Sequence, residues 1–204
     1  YKMDALDGVL RVISGDWNWG VERNVHVTTF DLTDPTFPVL GETAIVDAAG
    51  ETLFATRFDG NRAYVVTYLV KDPLFVIDLT NPALPAVVGQ LERPGWLTHI
   101  EARDNLLIAL GVDNTDGQRV SCSMYDVSGA GNPVEIGSAV TFGDSWSWSS
   151  AYNDVKAFTV LDDVLIVPFS GWASDFGGYE RLQFISWSSA GLEAQGYVDL
   201  GGTT

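Results

Sequence analysis

Long hydrophobic runs are missing from this sequence: it has no stretch of about 18 uninterrupted apolar residues, so no segment is expected to span a bilayer. Cysteine is nearly missing as well, because Cys122 is alone and has no partner for an intrachain disulfide. We expect Cys122 to be a buried small hydrophobic residue, the alternative being a reactive or intermolecular thiol. The chain opens with YKMDALDG rather than with a charged and then apolar leader, so we interpret it as a mature product or as a piece of a longer protein.

Positive charge is scarce: 11 Lys and Arg residues stand against 27 Asp and Glu residues, a formal net charge of -16. Nucleic acids and anionic membranes bind proteins through basic surfaces, so neither is expected as a partner. The charge favours cations or a neutral or basic partner, and its simplest interpretation is solubility in a salty or extracellular setting.

Motifs of catalysis are also absent, since the sequence contains no GxSxG, no HExxH and no Cys/His cluster. Of the two histidines, His26 lies in the strand-like VHVTTF and is expected to be a core residue. His99 and Glu101 are two residues apart, on one side of a predicted strand, and are weak candidates for an acid/base pair. No catalytic residue is assigned, and an enzyme is the less favoured interpretation.

The sequence contains an internal repeat of a proline-containing segment. The segment DLTNPALP, residues 78–85, is preceded by DLTDPTFP at 31–38 and followed by DVS with Asn132-Pro133, at offsets of 47 and 48 residues. Each copy reaches a glycine soon after its last proline, namely Gly41, Gly89 and Gly137. A fourth, degenerate copy at 184–191 keeps the apolar run and loses the prolines. Such a period indicates a propeller or a solenoid.

Each repeat contains four strand-like segments, which we name A to D in chain order. In the second repeat these are 53–58, 62–68, 74–78 and 86–91, separated by turn residues or by the proline-containing turn. In the fourth repeat, KAFTV at 156–160 is the expected strand A. No window has a sustained period of 3.6 residues, so almost no helix is expected. Four antiparallel strands per repeat favour a propeller blade over a parallel β-helix. We therefore predict an all-β chain, a single β-propeller domain or fragment of about four blades, at 1–50, 51–95, 96–143 and 144–204.

The segments RAYVVTY with DPLFVIDL, then LIALG, SMYDVS and NDVKAF, resemble a secreted β-propeller family of bacteria and archaea. In that family a propeller distantly related to WD repeats occupies the C-terminal region. The resemblance covers roughly residues 50–170 and implies the propeller fold and a secreted, cell-surface or periplasmic location. It supplies no catalytic residues. This sequence departs from the family at Val155 in NDVKAF, where a histidine is expected.

The geometry of a blade sorts the loops into two ends. The A–B and C–D turns lie at one end. Prolines suit the strand ends there because they donate no ladder hydrogen bond and stiffen the turn, so we interpret this end as structural. The B–C loops, which include 111–119 and 170–180, lie at the other end, as do the D–A linkers, which include 92–99 and 142–152. Six of the seven tryptophans map there, together with several aspartates that include Asp175. Indole rings beside carboxylates suit sugars and peptide strands, although large aromatic residues also fill gaps between blades. The candidate ligand-binding residues are Trp17, Trp19, Trp96, Trp146, Trp148 and Trp172.

The B–C loop of the third repeat is a candidate cation site. Its sequence DNTDG, from Asp113 to Gly117, offers hard oxygen ligands of the kind that Ca²⁺ prefers. It is not an EF-hand loop, and an Asx-type turn ending in glycine is the simpler interpretation. If a metal binds, Asp113 and Asp116 are the expected ligands, with Asn114 third; no other cofactor is expected.

Three function classes remain. The favoured one is a secreted, non-catalytic scaffold that binds a protein or glycan ligand through the tryptophan-rich face. The alternatives are a carbohydrate-binding module and a hydrolase or lyase with His99 in the central channel. Four blades can close into a small ring, whereas an unclosed stack leaves two unpaired β edges. Of these alternatives we favour the second, in which another copy of the chain or a missing segment completes the ring.

Overall fold

The computed structural model describes residues 2–16, 24–68, 73–173 and 177–201. Within these ranges the chain forms eighteen β-strands and three short 3-10 helices, at Val46–Ala48, Ser150–Tyr152 and Val155–Ala157. The strands form four antiparallel sheets in sequence order. The prediction of an all-β fold with about four four-stranded blades is confirmed. No helix in the described ranges is long and apolar enough to cross a membrane.

Sheets 1 and 2 are regular four-stranded blades whose strands follow the chain order. Sheet 1 consists of β1 (Lys2–Leu6), β2 (Val9–Gly15), β3 (Val25–Asp31) and β4 (Val39–Ile45). Sheet 2 consists of β5 (Thr52–Asp59), β6 (Arg62–Tyr68), β7 (Leu74–Asp78) and β8 (Ala86–Leu91). In both sheets these strands are A to D of the repeat.

Sheets 3 and 4 each have one strand broken into two pieces. Sheet 3 consists of β9 (Trp96–Arg103), β10 (Leu106–Asp113), β11 (Arg119–Asp126) and a divided strand D, β12 (Val134–Glu135) and β13 (Val140–Phe142), both paired with β11. Sheet 4 has a divided strand A, which consists of β14 (Ser147–Trp148) and β15 (Thr159–Val160). Both pieces are paired with β16 (Val164–Ala173). The sheet continues with β17 (Gly177–Ser188) and β18 (Gly191–Gly201). The segment KAFTV, expected to be one strand A, is therefore part 3-10 helix and part strand.

One hydrogen bond joins the A–B turn to the C–D turn in every sheet. The N–H of a residue at the end of strand C, or just after it, donates to a carbonyl oxygen of the A–B turn, at 2.8 to 3.0 Å. The pairs are Leu32 to Gly8, Leu79 to Asn61, Val127 to Asn105 and Trp187 to Asp163. The fourth repeat, which has lost its prolines, therefore keeps the turn geometry of the other three.

The aspartate that ends strand C stabilises the same turn in the first three repeats. Its carboxylate accepts the N–H of the residue two positions later, at 2.7 to 2.8 Å, which is the Asx-type turn expected from aspartate at such a position. The pairs are Asp31 with Thr33, Asp78 with Thr80 and Asp126 with Ser128. In sheet 4 the corresponding position is Ser186, which is paired with Val164 as Asp78 is paired with Arg62.

The chain divides into two compact units, which are described separately. Unit 1 comprises residues 1–93 and 129–133, and its core joins sheets 1 and 2 through Ile13, Val27, Val65 and Phe75. Unit 2 comprises residues 94–128 and 134–204, and its core joins sheets 3 and 4 through residues that include Leu110, Cys122, Val167 and Ile185. Cys122 is a fully buried member of this core, so the expectation of a small core residue is confirmed.

Candidate functional site

Three of the candidate tryptophans come together on sheet 4. Ser147 of β14 is paired with Gly171 of β16, and Trp148 is paired with Ser170; Trp146 directly precedes this ladder and is bridged to Gln118. Residues two apart on a strand point to the same face, so Trp146 and Trp148 share the face of Trp172. Their exposed fractions are 48%, 36% and 65% for Trp146, Trp148 and Trp172. We call these three residues the tryptophan cluster.

Hydrogen bonds fix the backbone that carries Trp146 and Trp148. The Ser147 side chain is fully buried; its Oγ accepts the Val120 N–H at 2.9 Å and donates to the Phe142 carbonyl at 3.0 Å. The Ser149 hydroxyl donates to the Pro168 carbonyl at 2.6 Å and accepts the Ala151 N–H at 3.1 Å. Because the serines between and beside the tryptophans are anchored on the inner face, the indole rings are held on the outer face.

Trp172 is positioned by two glycines that the sequence places nearby. A methyl group on Gly178, which is paired with Trp172, would lie 3.6 Å from the indole Cε3, so the ring covers the glycine across the strands. Gly171 has no room for a side chain because the hydroxyl of Tyr179 occupies that space. This hydroxyl accepts the Asp144 N–H at 3.1 Å and so fastens the segment that leads to Trp146.

This local structure differs from the expected loop. Residues 170–180 were expected to be a B–C loop, but β16 continues through Ala173 and β17 begins at Gly177. The glycines that favoured a loop instead accommodate the rings of Trp172 and Tyr179 across the ladder. The loop at 111–119 is shortened in the same way, since β10 ends at Asp113 and β11 begins at Arg119.

A shallow depression of about 190 Å³ adjoins Trp148. Its walls include the side chains of Trp148, Ser150, Glu180, Arg181 and Leu200, so an aromatic surface lies beside hydroxyl, carboxylate and guanidinium groups. Trp148 meets Tyr152 edge to face, with ring centroids 5.9 Å apart. Such a combination of an aromatic platform and polar groups can hold a ligand in one orientation.

Arg181 is held in place by aromatic rings and a carboxylate. Its guanidinium lies 4.1 Å from the ring centroids of both Tyr179 and Tyr197, and its Nε donates to Asp199 at 2.7 Å. Burial lowers the pKa of Arg181, but the Asp199 carboxylate and the neighbouring tyrosines outweigh burial and raise it. The lining of the depression therefore includes a fixed positive charge in a strongly acidic protein.

The other candidate tryptophans lie on another strand or outside the described residues. Trp96 belongs to strand β9, where it is paired with Val112 and half-buried, rather than to the linker expected from the sequence. Trp17, Trp19 and Asp175 lie outside the described residues. Trp187, which was not a candidate, donates its indole N–H to the Leu161 carbonyl at 2.8 Å.

The proposed calcium ligands lie in a hydrogen-bonded turn. Asp113 Oδ1 accepts the Thr115 N–H at 2.8 Å and its Oδ2 accepts the Thr141 hydroxyl at 3.2 Å. These bonds, with the Thr115 backbone first, hold the pKa of Asp113 below its usual value. Within the described ranges no group of three His, Cys, Asp or Glu side chains is placed to hold a metal ion. Calcium binding by Asp113, Asn114 and Asp116 stays a prediction.

His99 and Glu101 lie on strand β9, as expected. The His99 ring meets Phe158 edge to face, with centroids 5.2 Å apart. Glu101 forms an ion pair with Arg103, and Arg103 also donates to the Ala102 and Val160 carbonyls. An acid/base role for His99 and Glu101 stays a prediction.

Comparison with known proteins gives a family match and several relatives. The sequence profile of the family described as a beta propeller domain matches residues 1–199. An uncharacterised protein of Methanocaldococcus jannaschii is 36% identical over 163 residues, which cover 78% of this chain and 24% of the relative. An uncharacterised protein of Archaeoglobus fulgidus is 33% identical over 138 residues, covering 66% of this chain and 20% of the relative. The chain thus spans about a quarter or less of the length of these relatives.

Among solved structures, the chain is similar to the β-propeller domain of the Trilobed protease from Pyrococcus furiosus, described as having an open velcro topology. The TM-score is 0.54, with 11% sequence identity, and the match covers 96% of this chain and 56% of that one. At this identity the similarity supports the propeller fold alone.

Proposed function

Because the chain belongs to the β-propeller domain family, we propose that it is a non-catalytic binding module whose ligand contacts the tryptophan cluster of sheet 4. Exposure of the cluster carries the proposal: three large aromatic rings are grouped on one sheet face and each is at least one-third exposed. Tryptophan gains more from burial against a partner than most residues, and it is common among the residues that dominate binding energy.

The anchored backbone supports the same proposal. Since Ser147 and Ser149 are hydrogen-bonded on the inner face, the backbone that carries Trp146 and Trp148 does not have to be ordered when a ligand binds. A surface that is ordered beforehand loses less entropy on binding. With a formal net charge of -16, the protein attracts a neutral or basic partner more than an acidic one. The preferred ligand is therefore a neutral or basic protein segment.

A carbohydrate is the second candidate, because the depression beside Trp148 contains Ser150, Glu180 and Arg181. The CH face of a sugar ring can stack on the indole while its hydroxyls form hydrogen bonds with these polar groups. A protein segment would instead be expected to cover Trp172 and Trp146 and to depend less on Glu180. Glu180→Gln therefore separates the two candidates.

The test is a binding screen against a glycan array and a panel of neutral and basic peptides, followed by titration of any ligand found. Trp146→Ala and Trp172→Ala should each weaken binding by roughly tenfold or more, which is the usual loss for a central aromatic residue. Phe54→Ala is the matched control, because Phe54 is 39% exposed on sheet 2 and also loses an aromatic ring. Unchanged binding by both tryptophan variants would refute the proposal.

We also propose that the protein works outside the cytoplasm, as the resemblance described above implies. The large excess of acidic residues agrees with such a setting, since it keeps a protein soluble in salt. Fractionation of the source cells, with immunodetection of the protein in the cytoplasmic and external fractions, tests this location.

A further inference from the structure

In the first three repeats, the glycine of strand D packs closely against the C–D turn of the following repeat. A methyl group on Gly41 would lie 2.6 Å from the carbonyl oxygens of Pro82 and Ala83, and one on Gly89 would collide with the carbonyl of Gly131. A methyl group on Gly137 would lie 3.4 Å from the Ala190 carbonyl. The contact therefore occurs three times along the chain, each time between one repeat and the next.

Gly196 holds the same place in sheet 4. It is paired with Phe184 just beside a register shift, as Gly41 is paired with Thr29 and Gly89 with Val76. No atom of the described residues lies within 4 Å of the position that a methyl group on Gly196 would take. Sheet 4 therefore has the glycine that contacts a C–D turn in the other sheets, but no C–D turn of the described residues packs against it.

The complementary half of this contact is exposed on sheet 1. Leu32 is 39% exposed, whereas its counterparts Leu79 and Val127 are 4% and 3% exposed. Phe37, in the same C–D turn, is 56% exposed. Together with Leu10 and Phe30, these residues line an almost entirely apolar depression of about 390 Å³. Sheet 1 therefore presents an apolar face and a C–D turn.

The outer face of sheet 4 has the apolar pattern of a blade interface. Leu182 and Phe184 alternate with the buried Gln183 and Ile185 and are only partly buried themselves. Their register counterparts in sheet 2, Leu74 and Val76, are 1% and 2% exposed. Val198, paired with Leu182, is 51% exposed. Apolar sheet faces of this kind are usually covered in a stable protein.

We propose that sheet 4 of one copy of the chain binds sheet 1 of a second copy, with the C–D turn at 31–38 seated over Gly196. The chain itself carries both halves of a contact that it uses three times internally, so a second copy fits without any new kind of interaction. Such a contact joins two different surfaces and is head-to-tail, so that it closes into a ring or continues into an array. Because each copy carries a formal charge of -16, added salt strengthens the association by screening the repulsion.

Sedimentation equilibrium across a range of protein concentrations tests the proposal. The wild-type chain should show a concentration-dependent mass above that of the monomer, and Leu32→Glu and Val198→Glu should each abolish it. Both residues are well exposed in the single chain, so folding should be retained, as circular dichroism and thermal melting can verify. Leu84→Glu and Val46→Glu are matched controls at residues 72% and 76% exposed, and they should associate as the wild type does.

A mixing experiment identifies the geometry. Leu32→Glu blocks only the sheet 1 face and Val198→Glu blocks only the sheet 4 face, so an equimolar mixture should form a heterodimer although neither variant associates alone. A wild-type chain that stays monomeric at every concentration would overturn the proposal. So would self-association of Leu32→Glu, since that would indicate a contact between two identical faces.

Discussion

Leu79 and Leu32 stand at the same position of the repeat, make the same backbone hydrogen bond to the A–B turn, and differ in burial. Leu79 is 4% exposed and belongs to the core of unit 1, whereas Leu32 is 39% exposed. Gly41 and Gly196 show the same contrast, since one is covered by the next repeat and the other is open. The position of a residue in the repeat determines the backbone geometry of its turn. Contact with a neighbouring repeat determines how far its side chain is buried, and hence how much it contributes to stability.

The largest expected change in the free energy of unfolding comes from substituting Gly41, and it tests the contrast between Gly41 and Gly196. Gly41→Val would force a branched side chain onto the carbonyls of Pro82 and Ala83, which are backbone atoms and cannot yield cheaply. We expect a loss of at least about 3 kcal/mol in the free energy of unfolding, the upper end of overpacking. Gly196→Ala meets no such atoms but has a φ of 118°, so it should cost only about 1–2 kcal/mol of backbone strain. Urea denaturation of both variants makes the measurement.

Gly15→Ala is the control for that comparison, because its added methyl would lie at an ordinary 3.4 Å from the Leu53 Cβ and its φ is not positive. It should change stability by less than about 0.5 kcal/mol. Equal losses for Gly41→Val and Gly15→Ala would mean that the turn does not hold its place on strand D.

The second prediction tests the two leucines directly. Leu79→Ala removes a side chain that is 4% exposed and packed in a core, so it should destabilise the protein by about 2–3 kcal/mol through lost burial and an unfilled cavity. Leu32→Ala should cost about 1 kcal/mol or less because Leu32 is already 39% exposed. Denaturation at low protein concentration, where copies do not associate, measures both; similar losses would contradict the comparison.

The sequence predicted the repeat well because the turn chemistry is local. Asp78 with Thr80, and its equivalents, determine the C–D turn through neighbouring atoms, and such patterns can be recognised without a structure. Gly196 was missed because sheet 4 lacks the prolines that pointed to Gly41. A signal was nonetheless present: Ser186 precedes Gly196 by the ten residues that separate Asp31 from Gly41.

The tryptophan cluster was only partly predictable for a different reason. The assignment of Trp172 to a loop followed from its glycine-rich surroundings, but the rings of Trp172 and Tyr179 fill the space above Gly178 and Gly171 across the strands. Such cross-strand packing depends on the register between segments, which a single sequence does not fix. Grouping of Trp146 with Trp172 in particular depends on the pairing of Ser147 with Gly171.

The third prediction compares two fully buried threonines of unit 1. The Thr29 hydroxyl lies 2.5 Å from the Pro82 carbonyl, a bond that ties sheet 1 to the C–D turn of sheet 2. Thr29→Val should therefore cost about 1–2 kcal/mol of unfolding free energy, because a buried acceptor loses its donor. Thr67 is equally buried, and its hydroxyl has no hydrogen-bond partner within the described ranges. Thr67→Val should be neutral or stabilising, and a loss equal to that of Thr29→Val in urea denaturation would refute the distinction.

The smallest expected effect is on the pH dependence of stability in acid. Here the first three repeats, which have an aspartate at the end of strand C, differ from the fourth, which has Ser186. The hydroxyl and backbone N–H of Thr80 lower the pKa of Asp78 below its ordinary value, while Ser186 at the same position of sheet 4 does not titrate. A folded-state pKa below the unfolded value means that the ionised carboxylate stabilises the protein above about pH 4. This stabilisation is lost as the pH falls through the lowered pKa. Asp78→Asn, which can still accept the Thr80 N–H, should make the urea midpoint less dependent on pH below about 4, and Ser186→Ala should leave that dependence unchanged. An unaltered acid dependence in Asp78→Asn would show that the Thr80 contact is not linked to folding.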